Sequence, residues 1–300
     1  MDELAREVAA AYPQLGAVES ARLVYSSVHD MVEVRAGGDR FALKLYRPGV
    51  RTVDDVAWEV ALHRHLLANG GPLAELVSGV ETIEVDGAPR LAVLSTWALG
   101  AKPPPTEATY RLVGRAAAAI HAAADTFGAA DDRPARDLQT ELHDQLGLLR
   151  PSLEQVGRWD AVADLARRLE DHLSTQPLDV GVCHNDLTLD NVHIEEDRIT
   201  VFDLDSAALS WRAAEPQGVF HAGQLRGDDR WAAWQAGYRE VRPLAAVDAA
   251  AVPWFVLLFQ LENTAWKLGL TPTSIGPQLG LDDLPTLVDW WGGWWHVHCR

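Results

Sequence analysis

An aspartate, an asparagine and a second aspartate follow one another in this chain at a spacing that suits phosphoryl transfer. Asp186 ends the run His184-Asn185-Asp186, Asn191 lies five positions later, and Asp203 follows a short apolar strand that ends at Phe202. A protein does little covalent chemistry on a transferring phosphoryl group, and instead positions it and neutralises its charge. Aspartate and asparagine side chains can do both. The run therefore predicts a kinase.

Each of these residues has a predicted role. Asp186 would accept a hydrogen bond from the acceptor hydroxyl and orient it for in-line attack, or take its proton late in the reaction. Asn191 and Asp203 offer an amide oxygen and a carboxylate to Mg²⁺. Asp205 could reach the substrate or a second metal ion, and a turn-stabilising role is the alternative. His184 is predicted to be a structural hydrogen-bonding residue behind the loop rather than a proton carrier.

A lysine on an otherwise apolar strand adds a candidate for phosphate binding. Lys44 lies within Phe41-Ala42-Leu43-Lys44-Leu45-Tyr46. A lysine is rarely buried without an anionic partner, and Glu59 on the following helix is the obvious candidate. In kinase-like chemistry such a lysine pairs with the phosphates while the glutamate holds it in place. The alternative is a purely structural ion pair between strand and helix.

The elements that must position these residues differ between the two parts of the chain: strands dominate the first hundred residues, and helices dominate the rest. The first hundred residues predict a short helix, three strands, a long helix and two more strands, in that order. Thr52 is the predicted N-cap of the long helix, and Gly70-Gly71-Pro72 is predicted to end it. The predicted strands are Leu23–Ser26, Met31–Arg35, Arg40–Tyr46, Glu81–Val85 and Arg90–Ser95, with turns at Gly37-Gly38-Asp39 and Asp86-Gly87.

Helices dominate beyond a Pro-rich connector at Gly100 to Pro105, and strands return only between Val180 and Leu204. The predicted helices are Thr106–Phe127, roughly Leu138–Leu149, Asp160–Thr175, Asp229–Val241 and Val247–Leu268. The fold class expected is α+β, with a small antiparallel sheet and one long helix in a first lobe and a larger, mostly helical second lobe. We place the first lobe, for nucleotide binding, at residues 1–96, and the second, for catalysis and substrate binding, at residues 97–300.

The composition excludes several classes of protein. The chain has 300 residues, a formal net charge of −17 and two cysteines. An acidic chain without a basic face argues against a nucleic-acid partner, and the longest apolar run is too short to cross a membrane. Two cysteines cannot form a disulfide framework. We therefore expect a cytoplasmic protein, either a monomer or a homodimer.

The chain resembles the aminoglycoside phosphotransferase and choline-kinase-like family, a branch of the protein-kinase-like fold with two lobes. The resemblance is closest to the actinobacterial and homoserine-kinase-type members. It rests on Lys44-Leu45-Tyr46-Arg47-Pro48-Gly49, the helix with Glu59, the Ile120-His121 helix, and His184-Asn185-Asp186 with Asn191 and Asp203. It implies that ATP and Mg²⁺ are bound, with Asp186 as the catalytic base, Asn191 and Asp203 on the metal, Lys44 on the phosphates and Glu59 orienting Lys44. It also implies that the hinge between the two lobes, Leu94-Ser95-Thr96-Trp97, presents backbone groups to the nucleobase, with Ser95 and Trp97 among the contacts.

Three features depart from that family. Ser26-Ser27-Val28-His29-Asp30 takes the place of a glycine-rich loop between the first two strands, which the family often lacks. Asn185 stands where glycine is more usual, which could alter the backbone of the loop. Ala214-Glu215-Pro216 replaces a Tyr-Asp-Leu-like segment. Neither a Walker A motif nor a dinucleotide fingerprint occurs, so two other common nucleotide folds are excluded.

Glu262 and the tryptophans are the candidates for substrate binding. Glu262 interrupts an apolar helix, where a carboxylate is costly unless it is paired or faces a wet cleft. It could therefore bind a cationic or hydroxyl-bearing substrate, or pair with a structural arginine. Nine of the twelve tryptophans lie beyond residue 200. They could form an aromatic wall over a substrate or pack the last helices.

The function expected is transfer of the γ-phosphate of ATP to a hydroxyl of a small acceptor, an antibiotic-like compound or a metabolite. The acidic charge, most of which lies beyond residue 100, leaves a cationic acceptor open as much as ordinary solubility. An antibiotic acceptor would make the protein a resistance enzyme. Two alternatives remain. One is a kinase for Ser or Thr of a precursor peptide whose phosphate a partner lyase then eliminates, and the other is a pseudokinase that binds nucleotide without turnover.

Overall fold

Five antiparallel strands form the sheet of the first lobe. The structure is a computed structural model that describes residues 3–299; residues 1, 2 and 300, at the outer limits of the two predicted lobes, lie outside the described residues. The strand order is β1-β2-β3-β5-β4, with β1 at Val18–Ser26, β2 at Asp30–Ala36, β3 at Asp39–Leu45, β4 at Glu81–Val85 and β5 at Ala88–Thr96. Strand β1 begins before the predicted Leu23, because Val18 pairs with Ala36 beyond a register shift.

The two predicted hairpin turns are confirmed. Gly37 and Gly38, between β2 and β3, have φ angles of 62° and 86°. Asp86 and Gly87, between β4 and β5, have φ angles of 52° and 77°. Two-residue turns with positive φ at both positions match the twist of antiparallel strands, and glycine adopts them without a steric penalty.

Helix α1 (Glu3–Ala11) packs on the sheet, and helix α2 (Val53–Ala68) carries Glu59 towards it. The predicted N-cap of α2 is confirmed, since Thr52 Oγ1 accepts a hydrogen bond of 3.1 Å from Asp55 N and the Asp55 carboxylate accepts one from Thr52 N. This reciprocal pair satisfies two amides that the first turn leaves free. The helix ends at Ala68, with Asn69 as its C-cap, one residue before the predicted glycine stop.

Seven α-helices and four short strands follow within residues 97–299. The helices are α3 (Glu107–Ala124), α4 (Asp144–Gln155), α5 (Trp159–Leu173), α6 (Gln217–Arg226), α7 (Arg230–Arg239), α8 (Ala246–Lys267) and α9 (Leu284–His298). The strands are β6 (Val180–Cys183), β7 (Val192–Glu195), β8 (Arg198–Val201) and β9 (Ala208–Trp211). The α+β class with its mostly helical second lobe is confirmed. Strand β5 ends at Thr96, and the division of the lobes at residues 96 and 97 stays a prediction.

Some helices differ from their predicted bounds. Helices α6 and α9 were not predicted, and both contain two glycines, which lower helix propensity and blur the apolar periodicity. The predicted helix Leu138–Leu149 is instead a π-helical turn at Gln139–His143 that continues as α4 to Gln155.

Two glycines allow α3 and α7 to pack closely. A Cβ at Gly237 would lie 1.9 Å from the Arg111 carbonyl oxygen, and one at Gly114 would lie 2.0 Å from the Trp234 carbonyl oxygen. Neither position therefore accepts a side chain unless the helices separate.

Most of the late tryptophans belong to the core rather than to a surface wall. Trp254, Trp291 and Trp294 are buried in one cluster with α8, and Trp294 Nε1 donates a hydrogen bond to the Pro253 carbonyl oxygen. None of the helices within residues 3–299 has the length and apolar character needed to span a bilayer.

Two strand pairs place the loops of the candidate site. Strands β6 and β9 pair antiparallel, and β7 and β8 form a hairpin in which Val192 lies opposite Val201. The loop after β6 and the loop after β8 therefore meet. Phe202 N donates a hydrogen bond of 3.1 Å to the Asn191 carbonyl oxygen, which sets Asn191 beside the residue that precedes Asp203.

Candidate active site

Lys44 joins the sheet to the loop after β8. It lies in β3 between Met31 of β2 and Val93 of β5. Its ammonium Nζ is 3.1 Å from Glu59 Oε1 and 2.8 Å from Asp203 Oδ1. Burial by itself would lower the pKa of Lys44, but these two carboxylates hold that pKa well above its ordinary value. The ammonium is therefore a fixed cation at the junction of the two lobes.

The backbone at Asn185 accounts for one departure from the family. Asn185 has a φ angle of 62°, in the left-handed region that glycine adopts freely and that asparagine tolerates better than other side chains. Its Nδ2 donates to the Ser206 carbonyl oxygen at 3.2 Å. Asparagine thus keeps the loop conformation that glycine would allow, and ties it to the loop after β8.

His184 lies behind the loop, as the sequence predicts. It is fully buried, its Nδ1 accepts from Asp186 N at 3.3 Å, and its Nε2 is 3.0 Å from the Phe202 carbonyl oxygen. Since Nδ1 accepts, we assign the proton to Nε2, which then donates to Phe202. His184 therefore links the two loops of the site.

Asp186 and Asn191 are in direct contact. Asn191 Nδ2 donates to Asp186 Oδ2 and to the Asp186 carbonyl oxygen, both at 2.8 Å. Burial raises the pKa of the Asp186 carboxyl to about 6, although the hydrogen bond from Asn191 opposes the increase. Because Nδ2 is held by Asp186, the amide oxygen of Asn191 is not the atom that contacts Asp186.

Asp203 has an unusual backbone. Its φ of 66° and ψ of 72° are in the left-handed region, which costs a non-glycine residue about 1–3 kcal/mol and persists only where the surrounding structure enforces it. Burial opposes ionisation of its carboxyl, but the Lys44 ammonium lowers the pKa below its usual range. An ionised carboxylate and an asparagine amide oxygen are the kinds of ligand that suit a hard divalent cation.

Asp205 is surrounded by basic side chains that the sequence did not reveal. Arg51 Nε lies 2.8 Å from its Oδ1 and Arg51 Nη2 lies 3.0 Å from its Oδ2. His29 Nε2 is 3.2 Å from Oδ1, and Arg133 Nη2 donates to the Asp205 carbonyl oxygen at 2.8 Å. Burial opposes ionisation, yet Lys44, His29 and Arg51 keep the pKa of Asp205 far below its ordinary value. Asp205 thus connects the lobes, and its predicted contact with substrate stays a prediction.

A buried glutamate holds the loop after β6 from behind, and sequence reasoning missed it. Glu215 Oε2 accepts from His184 N at 2.8 Å and lies 3.3 Å from His121 Nε2. His121 Nδ1 is in turn 2.9 Å from the Tyr238 hydroxyl. The signals were present separately, in the Ile120-His121 helix and in the acid of Ala214-Glu215-Pro216, but the sequence did not show that they meet.

The hinge amides at the end of β5 are largely used within the protein. Thr96 N donates to the Glu75 carbonyl oxygen at 2.8 Å, and Trp97 N donates to the Arg40 carbonyl oxygen at 3.0 Å. The Arg40 guanidinium lies 4.2 Å from the centroid of the Trp97 ring, and Ser95 Oγ is 3.5 Å from the Ala42 carbonyl oxygen. The predicted nucleobase contacts of Ser95 and Trp97 therefore require other groups of this segment than the Trp97 amide.

A cleft of about 540 Å³ opens beside Asp186. Its charged lining consists of three acids and three arginines: Asp186, Asp205, Glu262, Arg51, Arg133 and Arg136. The aromatic side chains of Phe259 and Trp266 also line it. The acidic excess of the whole chain is therefore not reproduced in the cleft.

Glu262 lies in the cleft wall and pairs with an arginine, which was one of its two predicted environments. Arg136 Nη2 lies 2.5 Å from Glu262 Oε2 and 2.9 Å from Glu141 Oε2. Burial raises the pKa of Glu141 to about 7, and the neighbouring Glu262 adds to the increase while Arg136 opposes it. The substrate contact predicted for Glu262 stays a prediction, since a carboxylate can hold an arginine and still face the cleft.

Comparison with known proteins relates this geometry to a family. Residues 26–244 match the phosphotransferase enzyme family. A homoserine kinase of Phenylobacterium zucineum (strain HLK1) is 33% identical over 242 residues, which are 72% of this chain and 69% of that protein.

Two solved structures have the same fold. The microcompartment-associated aminopropanol kinase has a TM-score of 0.67 and 21% identity, over 92% of this chain and 90% of that one. The amicoumacin kinase hAmiN, in complex with AMP-PNP, Ca²⁺ and Ami, has a TM-score of 0.70 and 17% identity, over 98% of this chain and 93% of that one. The predicted kinase-like, two-lobed fold is confirmed.

Proposed function

Because this chain belongs to the phosphotransferase enzyme family, we propose that it transfers the γ-phosphoryl group of ATP, with Mg²⁺, to a hydroxyl of a small acceptor. The observation that carries the proposal is the convergence of five side chains from distant segments. Lys44 contacts both Glu59 and Asp203, while Asp186, in contact with Asn191, faces the cleft. A cation for phosphates, oxygen ligands for a metal and an acid/base residue are thus adjacent.

Lys44 and the hinge are the proposed nucleotide contacts. The Lys44 ammonium would bind the phosphates, with Glu59 holding it in place. The segment with Ser95 and Trp97 would lie against the nucleobase. The structure of the amicoumacin kinase with AMP-PNP supports ATP as the donor.

Asn191 and Asp203 are the proposed ligands of Mg²⁺. The hydrogen bond between Phe202 N and the Asn191 carbonyl oxygen keeps the two residues on adjacent segments, which supports the proposal that their side chains share a cation. A bound magnesium ion would neutralise charge on the phosphates as the bridging bond breaks.

Asp186 would act on the acceptor. Its carboxylate accepts a hydrogen bond from the acceptor hydroxyl and orients that oxygen for in-line attack on the γ-phosphorus. As the new P–O bond forms, the bond between the γ-phosphorus and the bridging oxygen breaks, ADP leaves, and the hydroxyl proton passes to Asp186. Asn191 Nδ2, 2.8 Å from Asp186 Oδ2, fixes the carboxylate during this step.

The acceptor is proposed to be a small hydroxyl compound. Homoserine and aminopropanol kinases among the similar proteins act on such compounds, and the amicoumacin kinase supports an antibiotic-like acceptor as the alternative. A cleft of about 540 Å³ is large enough for either.

An acceptor screen tests the proposal. Purified protein is incubated with ATP and Mg²⁺ and a panel of amino alcohols, hydroxy amino acids, aminoglycosides and basic peptide antibiotics, with Asp203→Ala as the blank. Acceptor-dependent formation of ADP and of a phosphorylated product, absent in the blank, is the expected result. Binding of ATP without transfer to any acceptor, Ser/Thr peptides included, would instead support the pseudokinase, and transfer to the peptides alone would support the peptide kinase.

A further inference from the structure

We propose that Arg133 binds a carboxylate of the acceptor, so that the compound phosphorylated here carries an anionic group as well as its hydroxyl. The inference rests on the proposed function, because it names the class of acceptor for the cleft beside Asp186.

Arg133 differs from the other two arginines of the cleft in its partners. Arg51 makes two hydrogen bonds to the Asp205 carboxylate, and Arg136 lies between Glu141 and Glu262. Within residues 3–299, by contrast, no carboxylate oxygen lies within 4.0 Å of the Arg133 guanidinium. Arg133 is therefore the cation that the protein leaves to a ligand.

The guanidinium of Arg133 is nevertheless held in place. Its Nη2 donates to the Asp205 carbonyl oxygen at 2.8 Å, and its Cζ lies 5.2 Å from the centroid of the buried Trp58 ring. Its Nη1 is buried, and within the described part of the chain it has no hydrogen-bond partner. A planar, fixed fork of donors matches the two oxygens of a carboxylate, and little side-chain freedom is lost when they meet.

The surroundings of Arg133 are short of negative charge. Burial lowers the pKa of Arg133, and the nearby Arg51 lowers it further. The carboxylates of Asp205, Glu59 and Asp55 act in the opposite direction but do not restore the pKa to its ordinary value. Arg133 is half-buried, and a cation withdrawn from water without a counter-ion is costly, so an anionic ligand at this position is favoured.

A second unpartnered polar atom lies in the wall of the same cleft. Gln145 lines the cleft, and its Oε1 is buried with no hydrogen-bond partner among residues 3–299. This oxygen can accept from an ammonium or a hydroxyl. Donor and acceptor together suit a zwitterion, which makes hydroxy amino acids the natural probes.

Matched pairs of acceptors isolate the carboxylate. L-serine and ethanolamine, L-threonine and 1-amino-2-propanol, and L-homoserine and 3-amino-1-propanol differ within each pair by the carboxylate alone. We expect at least one acid to have a KM about 10- to 100-fold below that of its amino alcohol, as a charge-assisted hydrogen bond implies. Arg133→Gln should raise the KM of that acid by the same factor, so that the KM values of the acid and its amino alcohol become nearly equal. Arg133→Lys, which keeps the charge and loses the fork, should give an intermediate ratio.

Arg150→Gln on the exposed face of α4 is the matched control, and it should retain the full preference for the acid. Thermal unfolding and the KM for ATP check that the Arg133 variants are folded. Equal KM values within every pair, or an equal loss for both members in Arg133→Gln, would overturn the inference.

The experiments distinguish failure of the proposed function from failure of the inference. If only acceptors without a carboxylate are phosphorylated, the proposed function stands and the inference is overturned. If no compound is phosphorylated, the proposed function fails, and calorimetric titration of the same pairs decides the inference. Binding of an acid that Arg133→Gln weakens would support the anion site, while an acid that does not bind, or that binds the variant equally well, would overturn it.

Discussion

Lys44 Nζ and Asp203 Oδ1 lie 2.8 Å apart, although 159 positions separate the two residues in the sequence. The contact joins the residue proposed to bind phosphates to the residue proposed to bind magnesium. Glu59 Oε1 accepts a hydrogen bond from the same ammonium at 3.1 Å. Lys44 thus contacts two carboxylates. When a nucleotide and its metal ion bind, the phosphates would replace Asp203 in part as the negatively charged partner of the Lys44 ammonium.

The shared ammonium predicts strong coupling between Lys44 and Glu59. Lys44→Met should lower kcat/KM for ATP by about 10²-fold or more, since a charge-assisted contact with the phosphates is lost. Glu59→Gln should cost less, and the double variant should be no worse than Lys44→Met, because Glu59 acts through Lys44. Steady-state kinetics of the four proteins test this. Lys267→Met, at the end of α8, is the control, and additive losses in the double variant would contradict the coupling.

The position of Asp186 predicts a loss of turnover without a loss of structure. Asp186→Ala should reduce kcat by about 10²–10⁴-fold, the range for a positioned acid/base residue. The KM for ATP should change little, because Asp186 faces the acceptor cleft. Asp197→Ala, in the exposed turn between β7 and β8, removes an aspartate outside the site and should retain normal kcat. Full turnover in Asp186→Ala would exclude the proposed role.

The buried Glu215 predicts a larger effect on stability. Burial opposes its ionisation, but His121 and the amide and side chain of His184 keep the pKa of Glu215 below its ordinary value. Glu215→Ala leaves the His184 amide without its acceptor, and removal of one partner of a buried charged contact costs about 3–5 kcal/mol. Denaturant unfolding should show this loss, with a fall in kcat as the loop loosens. Glu240→Ala, which removes exposed contacts to Arg111 and Arg115, should change the free energy of unfolding by about 1 kcal/mol or less.

The sequence predicts those residues of the candidate site that a pattern of a few neighbouring residues marks out. A lysine on an apolar strand, a glutamate on the next helix and the run around Asp186 are each visible within a few residues. Arg51 and His29 of the first lobe and Arg133 of the second could not be found in this way, because their contacts with Asp205 form only when loops that are distant in the sequence pack together.

The net charge of the second lobe did not indicate the charge of the cleft lining, for the same reason. The acidic residues of the second lobe suggested a cationic acceptor, whereas the cleft itself has as many arginines as acids. Glu262 shows why, since Arg136, its partner, comes from an irregular segment 126 positions earlier in the sequence. Pairing at such separations depends on the fold, which net charge does not report.

The close packing of α3 and α7 predicts opposite effects for two glycine substitutions. Gly237→Ala should lower the free energy of unfolding by about 1–3 kcal/mol or more, because the new methyl group would overlap the Arg111 carbonyl oxygen. Gly147→Ala, inside α4 and with no atom within 4 Å of the added Cβ, should raise it by about 0.5–1 kcal/mol through helix propensity. Urea unfolding of the three proteins measures both. Equal stability of the two variants would contradict the close approach at Gly237.

The Glu141 carboxyl predicts a pH-dependent difference in stability. Its pKa is raised from 4.5 to about 7 in the folded protein, first by burial and then by the nearby Glu262. The folded protein therefore binds this proton more tightly than the unfolded chain does, so the stabilisation is complete below about pH 4.5 and is lost as the pH rises through about 7. Glu141→Gln removes the titration. Relative to the variant, the wild type should lose about 3 kcal/mol in free energy of unfolding between about pH 4.5 and pH 8. Urea unfolding at both pH values tests this, with Glu154→Gln on exposed α4 as the control. A wild-type-minus-variant difference that is constant with pH would show that Glu141 ionises normally beside Arg136.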